Sequence, residues 1–230
     1  MKSLHSARSA LITILVPLAL VGLGVRLLLT PAFLMFEYRL PSFPPDEYGF
    51  TTLDRVRWGP YGVNYLLNDS DISYLGNLRF GDGSPLFKTR ELSHMHDVKV
   101  VTQAAMGTWY IGVAGLAVLG LVARRFNWPA GYLAGLRRGG WLTLGLAATG
   151  GVIGTIGAAG SGDLFWSFFS DFHGLFFSGD SWLFAYSDTL IRLYPVKFWE
   201  DAITYIAAIA ALGAIGFIMG LRHRHRPAAE

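Results

Sequence analysis

The chain has 230 residues, of which 52% are hydrophobic and 15% are charged, with a formal net charge of +3 and no cysteine. So large an apolar share with so few charges excludes an ordinary soluble domain and favours lipid as the solvent for much of the chain. Without cysteine, neither disulfides, nor thiol chemistry, nor a lipid-modified cysteine is expected in this chain.

Four apolar stretches are long enough to cross a bilayer. About 20 helical residues span the roughly 30 Å of hydrocarbon, and a helix satisfies its own backbone polar groups there. The predicted spans are roughly Ala10–Leu34, Val98–Ala123, Gly139–Ser161 and Asp201–Leu221. We therefore predict an all-α membrane protein, in which residues 1–230 form a single domain around a bundle of four transmembrane helices.

The first stretch has a second interpretation. A basic start followed by an apolar run is also typical of a signal peptide, but this run continues to about Leu34 without a clear exit site of small residues. We therefore expect the segment to remain in the protein as its first transmembrane helix.

The distribution of basic residues predicts the orientation of the chain. Cytoplasmic segments carry an excess of Lys and Arg. On one side of the spans the only carboxylate is that of Glu230. The basic residues on that side are Lys2, Arg8, Arg124, Arg125, Arg137, Arg138, Arg222, Arg224 and Arg226. Both termini are therefore expected in the cytoplasm, and the segments at about 35–97 and 162–200 outside. The small positive charge reflects this topology, and no nucleic-acid partner is predicted.

The two outer loops differ in composition. The first is predicted to form a large extracytoplasmic cap with a short helix or a little strand, because proline and glycine interrupt it. Its expected breaks are Pro41, Pro44, Pro45, Gly59, Pro60, Gly62, Gly81, Gly83 and Pro85. The second loop, between the third and fourth spans, is aromatic, which is typical of segments at headgroup depth.

Two histidines, His94 and His96, precede the second span. The residues around them are predicted to form the first turns of that helix, so that Glu91, His94 and Asp97 share a face while His96 points about 160° away. A histidine beside carboxylates suits general base catalysis, because a carboxylate fixes its tautomer and raises its basicity. The alternatives are a structural interfacial histidine and a His-x-His metal site on extended backbone.

The aromatic loop contains a third histidine, His173, near Asp171 and Asp180. Gly174 and Gly179 are expected to form a bend that lets the backbone approach a ligand closely. His173 can meet His94 at acyl-chain depth only if the two outer loops fold over one site.

A longer pattern extends through these regions. It comprises Pro44–Thr51, Tyr65–Leu67, Phe87–Lys99, Phe172–Trp182, Asp188–Pro195 and Phe198–Trp199. In these stretches the chain resembles the bacterial lipoprotein intramolecular transacylases, a family of polytopic membrane enzymes. The most specific part is the pattern Arg-Glu-Leu-x-His-Met-x-Asp-Val-Lys, which begins at Arg90.

The resemblance implies transfer of an acyl chain within one bacterial lipoprotein. The chain would move from the sn-2 ester of the diacylglyceryl group to the α-amine of the terminal cysteine and leave a lyso-form lipoprotein. The implied partners are this diacylated lipoprotein and membrane lipids, in the bacterial cytoplasmic membrane. The implied functional histidines are His94 and His173, and no cofactor or metal is predicted.

The residue types agree with aminolysis of an ester. His94, oriented by Glu91 or Asp97, would accept the proton of the attacking amine. His173 would donate to the developing oxyanion or to the leaving glycerol oxygen. Because ester and amine belong to one molecule, their proximity supplies much of the rate and no serine or cysteine nucleophile is needed.

Further residues are expected to assist. Arg90 or Arg192 would support His173 in stabilising negative charge. The predicted substrate-binding residues are Trp182, Phe172, Phe176 and Arg26. Arg26 lies inside the first apolar run, so it either reaches the outer interface or faces a polar cavity, where it would bind an anionic or carbonyl group.

Two other functions remain open at this stage. The loops of a non-enzymatic membrane module, such as a chaperone or a transporter subunit, could hold a lipid or a peptide. A transporter is expected to have ionisable residues in mid-bilayer, of which these spans contain few besides Arg26. A metal-dependent lipid hydrolase would use His94, His96 and His173, and it would lose activity to chelators.

The predicted topology can be tested with inserted tags. Tags at either terminus or near Asn127 should be inaccessible to reagents added outside the cell, and a tag near Gly83 should be accessible, because positive loops stay inside. The opposite labelling pattern would show that the chain has the inverted orientation.

Overall fold

The computed structural model describes residues 2–158 and 163–223, and the regular secondary structure in these ranges is helical apart from one isolated bridge between Arg79 and Pro85. Its helices are α1 Lys2–Leu28, α2 Pro31–Glu37, α3 Thr52–Leu67, α4 Ser73–Gly76, α5 Thr89–Arg125, α6 Pro129–Ala158, α7 Asp163–Phe176, α8 Thr189–Leu193 and α9 Val196–His223. The predicted all-α class is confirmed. Residues 159–161 of the third predicted span, and Arg224, Arg226 and Glu230, lie outside the described residues.

Three of the described helices are long and apolar enough to cross a membrane: Ser6–Leu28, Thr89–Arg125 and Val196–Gly220. They overlap the first, second and fourth predicted spans. The third predicted span falls in α6, which is not among these three, so the count of four crossings stays a prediction. The helix of the first span ends at Leu28, six residues before the predicted end of that span.

The chain divides into two compact units. One contains Met1–Arg26, Met106–Val152 and Ile203–Glu230, and the other contains Leu27–Ala105 and Ile153–Ala202. We call them the helical unit and the cap unit. The helical unit packs through small residues. A Cβ atom on Gly139, for example, would lie 2.5 Å from Cβ of Val16.

The cap unit is built around α3, a helix of 16 residues. It begins at a capping box, in which the side chain of Thr51 accepts from the amide of Asp54 and the Asp54 carboxylate accepts from the amide of Thr51. The expected breaks at Gly59, Pro60 and Gly62 are wrong, since α3 continues through all three.

Tyrosine contacts explain the two glycines of α3. The hydroxyl of Tyr194 donates to the carbonyl of Gly59 at 2.6 Å, and the hydroxyl of Tyr38 donates to the carbonyl of Leu193 at 2.9 Å. A Cβ on Gly59 would lie 2.5 Å from the Tyr38 hydroxyl, and one on Gly62 would lie 2.2 Å from the Tyr194 hydroxyl. The glycines therefore make room for buried tyrosines within a helix, where the sequence had suggested turns.

A buried carboxyl group, that of Glu37, lies at the end of α2 in the cap unit. Its side chain is fully buried, and Asp201 and Lys197 are its charged neighbours. Burial and then the nearby carboxyl group of Asp201 raise the pKa of Glu37 to about 8, with Lys197 opposing them. Glu37 is therefore mostly protonated at neutral pH.

This carboxyl group makes stability depend on pH. Glu37 ionises near 4.5 in the unfolded chain and near 8 in the folded protein, so folding takes up a proton between these values. The stability should therefore fall as pH rises from about 4.5 to 8, by at most about 1.4 kcal/mol per pH unit, and then level off.

A Glu37→Gln variant mimics the protonated form and should show a weaker decline of the melting temperature across this range, measured in detergent. The exposed Glu47→Gln serves as the control and should follow the parent protein. If the melting temperatures of Glu37→Gln and the parent fell equally with pH, the raised pKa of Glu37 would be contradicted.

Candidate active site

The two predicted catalytic histidines lie at opposite ends of their helices in the cap unit. His94 lies in the second turn of α5, and His173 lies in the last turn of α7. The prediction that the first histidine segment begins the second long helix is confirmed. The predicted bend at Gly174 is wrong, because α7 continues to Phe176, and the turn follows at Gly179, whose φ is +60°.

The structure brings the two imidazoles together. The ring centroids of His94 and His173 are 6.5 Å apart, and the ring planes differ by 19°. Phe177 lies against both, at 5.0 Å from His94 and 5.8 Å from His173. The two segments that were predicted to be outer loops thus meet at one place, as a shared site requires.

One hydrogen bond decides the tautomer of His173. Its Nδ1 lies 2.7 Å from the carbonyl oxygen of Phe169, which can only accept, so Nδ1 carries the proton. The neutral ring therefore presents its lone pair at Nε2. Burial lowers the pKa of His173, with the bond to Phe169 opposing the shift, so the ring is neutral at pH 7.

His94 is held differently. Its Nδ1 is buried and has no hydrogen-bond partner among the described residues. Its ring is contacted edge-on by Phe177 at 5.0 Å and by Phe184 at 5.2 Å. A buried polar atom normally has a partner, so this nitrogen is an exception that the protein's own side chains do not satisfy in the described residues.

The two carboxylates predicted to orient His94 have separate surroundings. Glu91 is fully buried, and its two oxygens accept from the backbone amides of Lys88 at 2.8 Å and Leu190 at 2.7 Å. Glu91 thus supports the site through the backbone at the start of α5 and α8. The half-exposed side chain of Asp97 lies 3.6 Å from Nδ1 of His96, which is itself exposed.

The two predicted supporting arginines also differ. Arg90 donates to the carbonyl of Leu183, and its guanidinium lies 4.9 Å from the ring centre of Phe184, the residue that contacts His94. Arg192 forms an ion pair with Asp46 at 3.1 Å. Arg90 is therefore connected to His94 through the ring of Phe184, whereas Arg192 is paired with Asp46 within the cap unit.

Three of the four predicted substrate-binding residues lie beside His173. Trp182 lies 4.8 Å from it and Phe172 lies 5.8 Å from it, between ring centroids, while Phe176 packs on Phe172 at 5.2 Å. Phe172 and Phe176 are nearly half exposed. Arg26 lies in the last turn of α1 in the helical unit, and its role in binding stays a prediction.

Several contacts of the site were not predicted from the sequence. They are the contacts of Phe177 and Phe184 with His94 and the ion pair between Lys88 and Asp188. The phenylalanines were indistinguishable in an aromatic segment, and the ion pair joins residues 100 positions apart. The described residues contain no group of three or more potential ligands placed for a metal.

Residues 10–199 match the family described as lipoprotein intramolecular transacylase Lit. The chain belongs to this family. It is therefore a membrane acyltransferase.

Two known proteins are similar to it over nearly their whole length. A protein of Aquifex aeolicus (strain VF5), described as uncharacterized, is 28% identical over 211 residues, which cover 90% of this chain and 89% of that one. The solved structure of the membrane integral lipoprotein intramolecular transacylase Lit from Bacillus cereus matches with a TM-score of 0.70 at 19% identity, covering 97% of this chain and 96% of that chain. The similarity to this solved structure supports the fold.

The contacts of Glu91 predict a contrast in stability between the two carboxylates. Glu91→Ala removes the acceptor of two backbone amides, and each buried unsatisfied group costs about 1 to 3 kcal/mol. Asp97→Ala removes a half-exposed side chain and should be nearly neutral. Thermal unfolding in detergent checks both variants, and an equal loss in the two would contradict this role of Glu91.

Proposed function

We propose that this chain moves an acyl chain from the sn-2 ester of a diacylglyceryl lipoprotein to the α-amine of its N-terminal cysteine, leaving a lyso-form lipoprotein. The observation that carries the proposal is the pair of stacked imidazoles, His94 and His173, enclosed by aromatic side chains. Two rings that can accept and donate protons, next to surfaces suited to alkyl chains, match the needs of ester aminolysis.

The hydrogen bond at His173 supports a division of roles opposite to the one expected from the sequence. With Nδ1–H donated to Phe169, the neutral ring has a free lone pair at Nε2 and is ready to accept a proton. Its only N–H is already donated to Phe169, so the neutral ring has no N–H left for an oxyanion. We therefore assign proton acceptance to His173 and stabilisation of the oxyanion to His94.

The reaction then proceeds by addition of the amine and collapse of a tetrahedral intermediate. The amine nitrogen attacks the ester carbonyl as its proton moves to Nε2 of His173, and an N–H group of His94 donates to the oxyanion. Collapse of the tetrahedral intermediate breaks the bond from carbon to glycerol oxygen. The imidazolium of His173 returns the proton to that oxygen. No bond to the protein forms at any step.

The aromatic residues supply the binding surface. Phe172 and Phe176 are nearly half exposed and stand beside His173, so they offer apolar area to an acyl chain whose ester reaches the histidines. The ester and the amine belong to one molecule, so holding them in contact gives a high effective concentration of the amine, and no second substrate has to bind.

Mass spectrometry of a lipoprotein reporter tests the reaction directly. Cells that express this chain should accumulate a reporter with one acyl group on nitrogen and one on glycerol, and cells without it should not. Loss of an acyl group without a gain on nitrogen would instead indicate the competing metal-dependent hydrolase, and a chelator should then abolish it.

The two histidines can be tested as a unit. His94→Asn and His173→Asn should each reduce turnover by about 10² to 10⁴, because each removes a proton-transfer or hydrogen-bonding group from the transition state. The double variant should be little slower than either single one, since residues that act together are strongly non-additive.

His96→Asn is the matched control, because this side chain is exposed and lies beside Asp97. It should retain nearly full turnover. An equal loss in His94→Asn and His96→Asn would favour a metal site or a structural role, and additive effects of His94→Asn and His173→Asn would separate the two rings functionally.

A further inference from the structure

Residues 182–188 form an irregular segment, which we call the strap, that places one ring against each histidine. The indole of Trp182 lies 4.8 Å from the ring of His173, and the ring of Phe184 lies 5.2 Å from that of His94, between centroids. The strap connects the turn after α7 with the start of α8. Its position therefore decides what surrounds both imidazoles.

Asp188 holds the last part of the strap. It is almost fully buried, one carboxylate oxygen is paired with the ammonium of Lys88, and the other accepts from the amide of Ala185 at 2.9 Å. Lys88 immediately precedes α5, the helix that carries His94. A buried carboxylate is stable only when it is paired and hydrogen-bonded, so this arrangement ties the strap to the start of α5.

A second connection lies two residues after Lys88, in the first turn of α5. Arg90 donates to the carbonyl of Leu183, and its guanidinium stacks on Phe184 at 4.9 Å. The strap is thus attached to the beginning of α5 at both of its ends. Phe184 lies between the two attachments and against His94.

The two histidines differ in their need for this support. His173 has a hydrogen bond to Phe169 that sets its ring. Nδ1 of His94 has no hydrogen-bond partner in the described part of the chain, so its ring orientation depends on packing against Phe177 and Phe184. A displacement of about 1 Å in a reacting group can reduce a rate about 10²-fold.

We infer that Asp188 is a positioning residue of the transacylase reaction. Through its ion pair with Lys88 and its bond to Ala185 it fixes the strap, and through Phe184 the strap fixes the ring of His94. Asp188 itself touches none of the reacting atoms. The inference rests on the proposed function of the histidine pair.

Asp188→Asn is the main variant, because the amide oxygen still accepts from Ala185 while the charge that pairs with Lys88 is lost. The substrate is a synthetic lipopeptide with S-diacylglyceryl cysteine and a free α-amine, in detergent micelles. We expect kcat to fall about 10- to 100-fold with KM little changed. The ¹⁵N NMR signals of the His94 imidazole should shift or broaden, and those of His173 should change less.

Lys88 provides a second, independent test, since its side chain is 64% exposed and its replacement disturbs little packing. Lys88→Gln should reproduce the kcat loss, Lys88→Arg should recover most of the rate by restoring the pair, and Lys88→Gln with Asp188→Asn should be no worse than either alone. Asp180→Asn, an exposed carboxylate in the same loop, is the matched control and should behave as the parent.

The outcomes separate this inference from the proposed function. Unchanged His94 signals in Asp188→Asn and Lys88→Gln, or equal effects of Lys88→Arg and Lys88→Gln, would overturn the positioning role. Retained activity in His94→Asn and His173→Asn would overturn the histidine mechanism instead. Even then, the NMR signals of His94 would decide whether Asp188 positions its ring.

Discussion

A helix that begins beside a reaction site leaves its first backbone amides without partners inside the helix. In α5 the carboxylate of Glu91 accepts from the amide of Lys88, the residue before the helix, as a glutamate at the third helical position does in a capping box. Its second oxygen accepts from Leu190 at the start of α8. One buried side chain therefore sets the position of two helix starts, and the placement of His94 and of the strap depends on both.

As a result, most charged side chains around the site are paired with one another or with the backbone. Lys88 pairs with Asp188, Arg192 pairs with Asp46, and Glu91 binds backbone amides, all within the cap unit. Among the described residues, the ring contacts of the two histidines are aromatic. A neutral imidazole is favoured in such surroundings, and a neutral imidazole is what the abstraction of a proton from an amine requires. In the proposed reaction the aromatic rings thus serve two purposes, because they would also offer apolar surface to an acyl chain.

Local sequence patterns predicted the helix around His94 well and the extent of α7 poorly. Spacing along a helix placed His94 and His96 on different faces, since that prediction needs only the helical period. The same period could have revealed α7, where Phe165, Phe169 and Phe172 recur at helical intervals and the first two stack at 5.6 Å. Gly174 suggested a bend there because a glycine alone cannot show whether a helix continues through it.

Long-range contacts were beyond such patterns. Gly59 in α3 is explained by the hydroxyls of Tyr38 and Tyr194, and no local rule predicts that residues 135 positions apart will meet. The ion pair of Lys88 with Asp188 and the two contacts of Glu91 have the same origin. The sequence could therefore suggest candidate histidines, while the residues that hold them in place could be found only in the tertiary structure.

The two histidines show why that distinction matters for chemistry. His173 is fixed by a carbonyl of its own helix, so its tautomer and its proton-accepting nitrogen follow from α7 alone. His94 lacks such a bond among the described residues and takes its orientation from rings that another segment supplies. A group that must accept a proton gains from a fixed tautomer. A group that must meet an oxyanion gains from a free N–H that packing directs toward the place where charge develops, because donors aligned in advance need no reorganisation during the reaction.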